Sequence, residues 1–168
     1  METNKDKLIS YLKYLGKDVE VEAFDSRFSI QKIAFILKSM GLELSYEFIF
    51  HHYGVYSKEL TNDYYDSKDS FNNYSSNHHL SDKEEKILTL FKKTIDMDHS
   101  LLESVSTILY FNLVYSNIDN TIKEVKKRKP HLSDYGIILG INKAKELIFK
   151  DEDLTVDIKK ELEMWDFD

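Results

Sequence analysis

Along most of this chain the apolar residues recur at spacings of three and four, which is the pattern of helices that bury one face. Leu8, Ile9, Leu12 and Leu15 form such a stripe, with Gly16 placed to stop it, so the first helix is expected over roughly 4–15. Val19 to Phe24 reads as a short extended stretch. The clearest helix spans about 27–40, carried by Ile30, Ile33, Ala34, Leu37 and Met40, with Leu42 beyond and Gly41 where a C-terminal cap belongs. The period then changes from helical to alternating. Leu44, Tyr46, Phe48 and Phe50 alternate with Glu43, Ser45 and Glu47, the pattern of a half-buried strand, and residues 51–55 make a turn.

Ser57 can cap a helix over 58–66 that carries Leu60, Tyr64 and Tyr65. The polar stretch 66–80 reads as a surface loop. Ser81 and Glu84 stand at the spacing of a capping box and open a helix through Ile87, Leu88, Phe91 and Ile95. A helix over about 99–114 has apolar residues around much of its circumference (Leu101, Leu102, Val105, Ile108, Leu109, Leu113) and is expected to be the central one. A shorter helix over 118–128 ends in a basic run before Pro130. Ser133 caps the last strong helix, 134–149, with Ile137, Ile138, Ile141, Ala144, Leu147 and Ile148 on its inner face. The fold class is therefore mainly α: a single-domain bundle of about seven helices with a small antiparallel β element, the helix–strand–turn–helix stretch 27–66 being winged-helix-like in layout.

Composition sharpens this picture. The 168 residues hold one Pro and five Gly, few breakers for so long a chain, which favours helices over many short strands. Apolar content of 42% supports a core large enough for one domain over 1–150. With no cysteine, disulfides, thiolate nucleophiles and Cys-held metal centres are excluded. No apolar run approaches the ~18 residues a membrane span needs, and the opening residues are polar, so no membrane association and a cytoplasmic location are expected. The net charge of −7 is uneven: residues 151–168 carry eight acids and two lysines, a net of −6, which leaves −1 for 1–150. This acidic tail holds a weak helical pattern over 153–165 and opposes polyanion binding by the whole chain.

Little in the chain calls for catalysis. Adjacent histidines, His51-His52 and His78-His79, lack the spacing that lets two rings meet one metal, and they read as surface or turn residues. There is no Gly-rich phosphate loop and no nucleophile elbow; Gly136 to Gly140 encloses three apolar residues that core packing explains. Neither catalytic residues, nor a metal site, nor a cofactor is expected. Two surfaces remain. Lys123, Lys126, Lys127, Arg128 and Lys129, a net +4 with Glu124, are the nucleic-acid candidate, although cations at a helix C-terminus also complement its dipole. The aromatic turn His52, Tyr53 and Tyr56, with Tyr64 and Tyr65 on the following helix, is the protein-contact candidate, because tyrosine is enriched at interface anchors.

The stretch Gln31-Lys32-Ile33-Ala34-Phe35-Ile36-Leu37-Lys38, then Gly41-Leu42, Tyr46-Glu47-Phe48, and Tyr53-Gly54-Val55-Tyr56-Ser57-Lys58-Glu59-Leu60 with Asp63, resembles the YwgA-like family of small bacterial and archaeal proteins. Ile122, Val125, Lys126, Lys129, Pro130 and the helix from Ser133 to Leu147 match that family's usual ending, so the resemblance covers about 27–149. More distantly the chain is similar to the Panacea (SocA-like) antitoxin and adaptor domain. Val55 departs from both, which carry Pro there. The resemblance implies a non-enzymatic regulatory or adaptor protein that acts through protein–protein contacts with a partner still to be identified. The alternative is a winged-helix-type DNA-binding transcriptional regulator that uses the basic run or the 27–40 helix, though the net charge disfavours nucleic acid. A homodimer is left open.

Overall fold

The computed structural model describes residues 2–115, 117–148 and Met164. It is mainly helical with one small antiparallel sheet, as the hydrophobic periodicity predicts. The chain divides into two compact units, Met1–Lys93 and Thr94–Asp168.

The first unit opens with helix α1 (Asn4–Leu15), which ends at Gly16 in the left-handed conformation. Thr3 and Asp6 form a reciprocal capping box at its start. Helix α2 (Phe24–Ser39) begins three residues earlier than the periodicity indicates, and 19–23 is not a strand. The cause is local: the Ser26 hydroxyl accepts the Glu20 amide at 2.9 Å, and the Ala23 amide bonds the Glu20 carbonyl, so the chain turns directly into the helix. α2 is buried from Ser26 through Leu37 on nearly every side, including the polar Gln31 and Lys32. It closes at Gly41 (φ 105°), whose amide and that of Leu42 return to the carbonyls of Lys38 and Leu37.

Strand pairing is much shorter than the alternation over 44–50 implies. Among the described residues only β1 (Ile49–His51) and β2 (Gly54–Tyr56) pair, with Phe50 opposite Val55. The alternation itself is real, since Leu44 and Tyr46 are buried and Glu43, Ser45 and Glu47 are exposed. Side chains take the place of a neighbouring strand along 43–47. Asn4 Oδ1 accepts the Ser45 amide, Lys38 Nζ donates to the Tyr46 carbonyl, and Glu59 Oε1 accepts the Glu47 amide.

Helix α3 (Lys58–Asp66) is capped by Ser57 as expected. The polar stretch after it is not wholly loop: α4 (Lys68–Asn72) forms around Phe71, a single apolar side chain driven to 1% exposure. Helix α5 (Asp82–Thr94) opens on the predicted Ser81–Glu84 box, both hydrogen bonds present at 3.2 and 2.7 Å.

The second unit is built on α6 (His99–Tyr115), which packs against both α7 (Ile118–Arg128) and α8 (Asp134–Ile148). Leu101, Leu102, Val105, Ile108, Leu109 and Phe111 are all buried, so α6 is central to its own unit, as α2 is to the first. Gly140 lets α8 approach closely: a Cβ there would stand 2.7 Å from Ser104 Oγ and 2.8 Å from Ile108 Cδ1. Ile148 is 38% exposed and Ile138 half-buried, so the inner face of α8 is narrower than its isoleucines indicate. The acidic stretch 151–168, with its weak helical pattern over 153–165, lies outside the described residues apart from Met164.

Candidate functional site

The five residues expected to form a protein contact (His52, Tyr53, Tyr56, Tyr64 and Tyr65) all line one cavity of about 400 Å³ in the first unit. Its walls come from the β1–β2 turn on one side and α3 on another, and α2 supplies Phe24, Arg27, Phe28, Gln31 and Lys32. These α2 positions are separated by three, four or one, so they share one helix face. Reading the helix from 27 hid the first of them; begun at 24, the same periodicity points Phe24, Phe28 and Gln31 one way.

The floor of the cavity is a polar clamp made by two consecutive residues. Gln31 Oε1 accepts the Ser57 amide at 2.9 Å, while its Nε2 donates to the Ser57 carbonyl at 3.1 Å and to Thr61 Oγ1 at 2.9 Å. Gln31 thus imitates a strand partner for Ser57 and fixes the start of α3. Lys32, 2% exposed, donates from Nζ to the carbonyls of Tyr53 (2.7 Å) and Val55 (2.9 Å). Those carbonyls lie two residues apart and leave the hairpin on the same side. The ammonium also sits 4.4 Å from the Phe28 ring centre, an attractive placement over an aromatic face. Gln31 and Lys32 are therefore not outward residues of a DNA-reading helix, as a winged-helix layout requires. They tie the hairpin and α3 to α2.

Above this floor the walls are aromatic. Phe24 meets Tyr53 edge-on at 5.1 Å, Tyr64 and Tyr65 lie 5.1 Å apart, and His51 tilts against Tyr56 at 5.6 Å. Tyr64 is buried, whereas Phe24, Tyr53 and Tyr65 are 45%, 60% and 45% exposed and form the rim. The Arg27 guanidinium lies between two of them, 5.9 Å from the Phe24 ring centre and 5.8 Å from that of Tyr65. Its Nη1 donates to the Val21 and Glu22 carbonyls, each at 2.8 Å, and it makes no ion pair among the described residues. The Glu22 carboxyl lies outside the lining. It is held below the usual carboxylate range by its own backbone amide and by Asn72, with help from the charges of Lys68 and Arg27. The lining carries two cations and two histidines and no acid, in a chain where acids outnumber Lys and Arg by 30 to 23.

The other histidine pair divides. His79 is exposed, but the His78 side chain is 6% exposed and wedged between two carboxylates. Its Nε2 lies 2.9 Å from Glu84 Oε1, and its Nδ1 lies 3.0 Å from Glu2 Oε2 without hydrogen-bond geometry. Tyr11 also donates to Glu84 Oε1, at 2.6 Å. Burial works to raise the Glu84 carboxyl, but the hydrogen bonds of Tyr11, the Ser81 amide and His78 outweigh it and hold it below its ordinary value. The Tyr11 hydroxyl is pushed up, first by burial and then by the same carboxylate. The network fastens the start of α5 and the preceding segment to α1. His78 is thus a packed structural residue rather than a surface one, and among the described residues no three His, Asp or Glu side chains gather in a way that suits a metal.

The basic run is largely engaged. Lys126 pairs with Asp134 at 3.2 Å, and Arg128 pairs with Glu124 at 3.3 Å. Lys129 is buried, 3.3 Å from Glu103, whose same oxygen meets His131 at 2.6 Å. Lys123 and Lys127 are exposed, with no ion pair among the described residues. No helix in the described residues is long and apolar enough to cross a membrane. Comparison with models of known protein families, with curated proteins and with solved structures finds no match.

Proposed function

We propose that this is a non-enzymatic regulatory or adaptor protein, antitoxin-like or adaptor-like in its manner of action and cytoplasmic, which binds a partner protein through the aromatic cavity of its first unit. The observation that carries the reading is the convergence of Phe24, Tyr53 and Tyr65, all exposed, around a recess whose floor is fixed by Gln31 and Lys32. A pre-formed recess with an aromatic rim and an arginine supplies the residue types that dominate binding at protein interfaces. The family resemblance supports the same reading in part, since Gln31, Lys32, Tyr53, Val55 and Tyr56 of its motif line this recess.

The second reading is DNA binding through the end of α7. It keeps Lys123 and Lys127, the two cations of the run that have no ion pair among the described residues. Two free lysines neutralise few phosphates, and α2 has no face left for a groove. A photo-crosslinking residue placed at position 53 or at position 127, in cells of the source organism, separates the two. Discrete protein adducts from position 53 are expected. Nucleic-acid adducts from position 127, with none from 53, would replace this reading with the second.

A further inference from the structure

We infer that the occupant of this cavity is an extended peptide segment of the partner that places an aromatic side chain inside the rim and a carboxylate against Arg27. The inference rests on the protein-contact reading above and deepens it by naming the partner's chemistry.

Three features select that chemistry. The walls are ring faces and edges, which favour a flat apolar group through offset or edge-to-face contact. The volume, about 400 Å³, admits a large side chain with a short stretch of chain but not a helix pressed in whole. The charge is one-sided: Arg27 stands in the lining unpaired by any described carboxylate, and the lining has no acid. Because Nη1 is committed to two carbonyls, the parallel N–H pair of Nε and Nη2 is the bidentate edge that Arg27 keeps for an anionic group. Its stacking on Phe24 and Tyr65 holds that fork in place, so little side-chain entropy is lost when it is engaged. The second cation, Lys32, is spent on the Tyr53 and Val55 carbonyls and adds positive potential without a free donor direction toward the opening.

One directed cation suits one carboxylate, not a polyphosphate strand. A nucleic acid, although flat-based and anionic, is thereby disfavoured against an acidic, aromatic peptide.

The test uses the full chain and four fluorescein-labelled peptides in anisotropy titrations at about 50 mM salt, where charge contributions are weakly screened. They are Glu-Asp-Trp-Asp-Phe-Glu, its amide analogue Gln-Asn-Trp-Asn-Phe-Gln, its alanine analogue Glu-Asp-Ala-Asp-Ala-Glu, and the basic Lys-Lys-Trp-Lys-Phe-Lys. A labelled oligothymidylate is the nucleic-acid arm. The acidic aromatic peptide is expected to bind at least about ten-fold tighter than each of the others, the size of one good contact. Arg27→Gln should bring it down to the level of the amide analogue. Because Arg27 also braces the 21–22 carbonyls, Tyr53→Glu serves as the second variant: the side chain sits on the exposed rim, and the change, with folding checked by circular dichroism, should weaken the acidic peptide by about ten-fold through like charge. Equal binding of the neutral or basic peptide, tighter binding of the oligonucleotide, no effect of Tyr53→Glu, or no peptide binding up to about 1 mM would each overturn the inference. If any of these occurs while position 53 still crosslinks to a protein, the occupant's chemistry is wrong and the protein-contact reading stands. Loss of the crosslink as well removes both.

Discussion

Lys32 shows how a residue can look functional in a sequence and prove architectural in space. In the chain it is one of three cations on the 27–40 helix, with Arg27 and Lys38, and a cation on a helix of a winged-helix-like unit invites a DNA-contacting role. In the structure it is 2% exposed and substitutes for a third strand, satisfying two carbonyls that leave the hairpin with no strand beside them. Lys32→Met keeps the length and apolar stem of the side chain but leaves the buried Val55 carbonyl, and the partly buried Tyr53 carbonyl, without their donor, which is expected to lower stability by about 1–3 kcal/mol in urea denaturation. Gln31, its neighbour, could not be read as a clamp for Ser57 either, because the two lie 26 positions apart and no local pattern links them. Glu84 was legible only in part: the capping box appears in the sequence, whereas its bonds to Tyr11 and His78 depend on folding. Its folded carboxyl lies below the unfolded value of about 4.3, so its contribution is complete above that pH and fades as pH falls through the folded value. Glu84→Gln should therefore cost about 1 kcal/mol at neutral pH and make the loss of stability on acidification shallower, as followed by circular dichroism across a pH series.

At the scale of elements, the helices that carry their own punctuation have the approximate bounds that the sequence predicts. α1 lies between Thr3 and Gly16, α3 after Ser57, and α7 before Pro130, and each boundary is set by a side chain or backbone property local to it. The failures share a cause. Over 43–47 the alternation of Leu44 and Tyr46 with exposed neighbours correctly described burial, but pairing partners are not encoded in alternation, and here side chains of α1, α2 and α3 stand in for a strand. α4 was missed because a single Phe71 in a polar run gives no periodicity. Gly140 is the case where a composition cue became a packing fact. Gly140→Leu is expected to destabilise by about 2–3 kcal/mol, since Ser104 and Ile108 already fill the space. Gly136→Ala, which meets only the Ser133 hydroxyl, should stay within about 0.5 kcal/mol of the parent in the same denaturation assay.

At the scale of the whole molecule, the aromatic turn was legible as a candidate contact surface from His52, Tyr53, Tyr56, Tyr64 and Tyr65, and these five do line one recess. What the sequence withheld was its cationic side, because Arg27 and Lys32 belong to a helix brought to the hairpin by tertiary packing. An acidic chain that keeps one acid-free, aromatic and cationic recess has a surface of opposite sign to its bulk, which favours selective capture of a complementary segment over indiscriminate charge attraction. The basic run at the end of α7 is by contrast mostly neutralised by Asp134, Glu124 and Glu103. The most direct measurement of the central claim is isotope-coded affinity capture from the source organism with the parent protein and the Tyr53→Ala, Tyr65→Ala double variant, both checked for equal folding. Recovery of a defined protein that falls by about ten-fold or more with the double variant is predicted, the loss expected when two rim anchors are removed. Equal recovery of the same proteins by both forms would contradict the account, because the partner would then dock elsewhere.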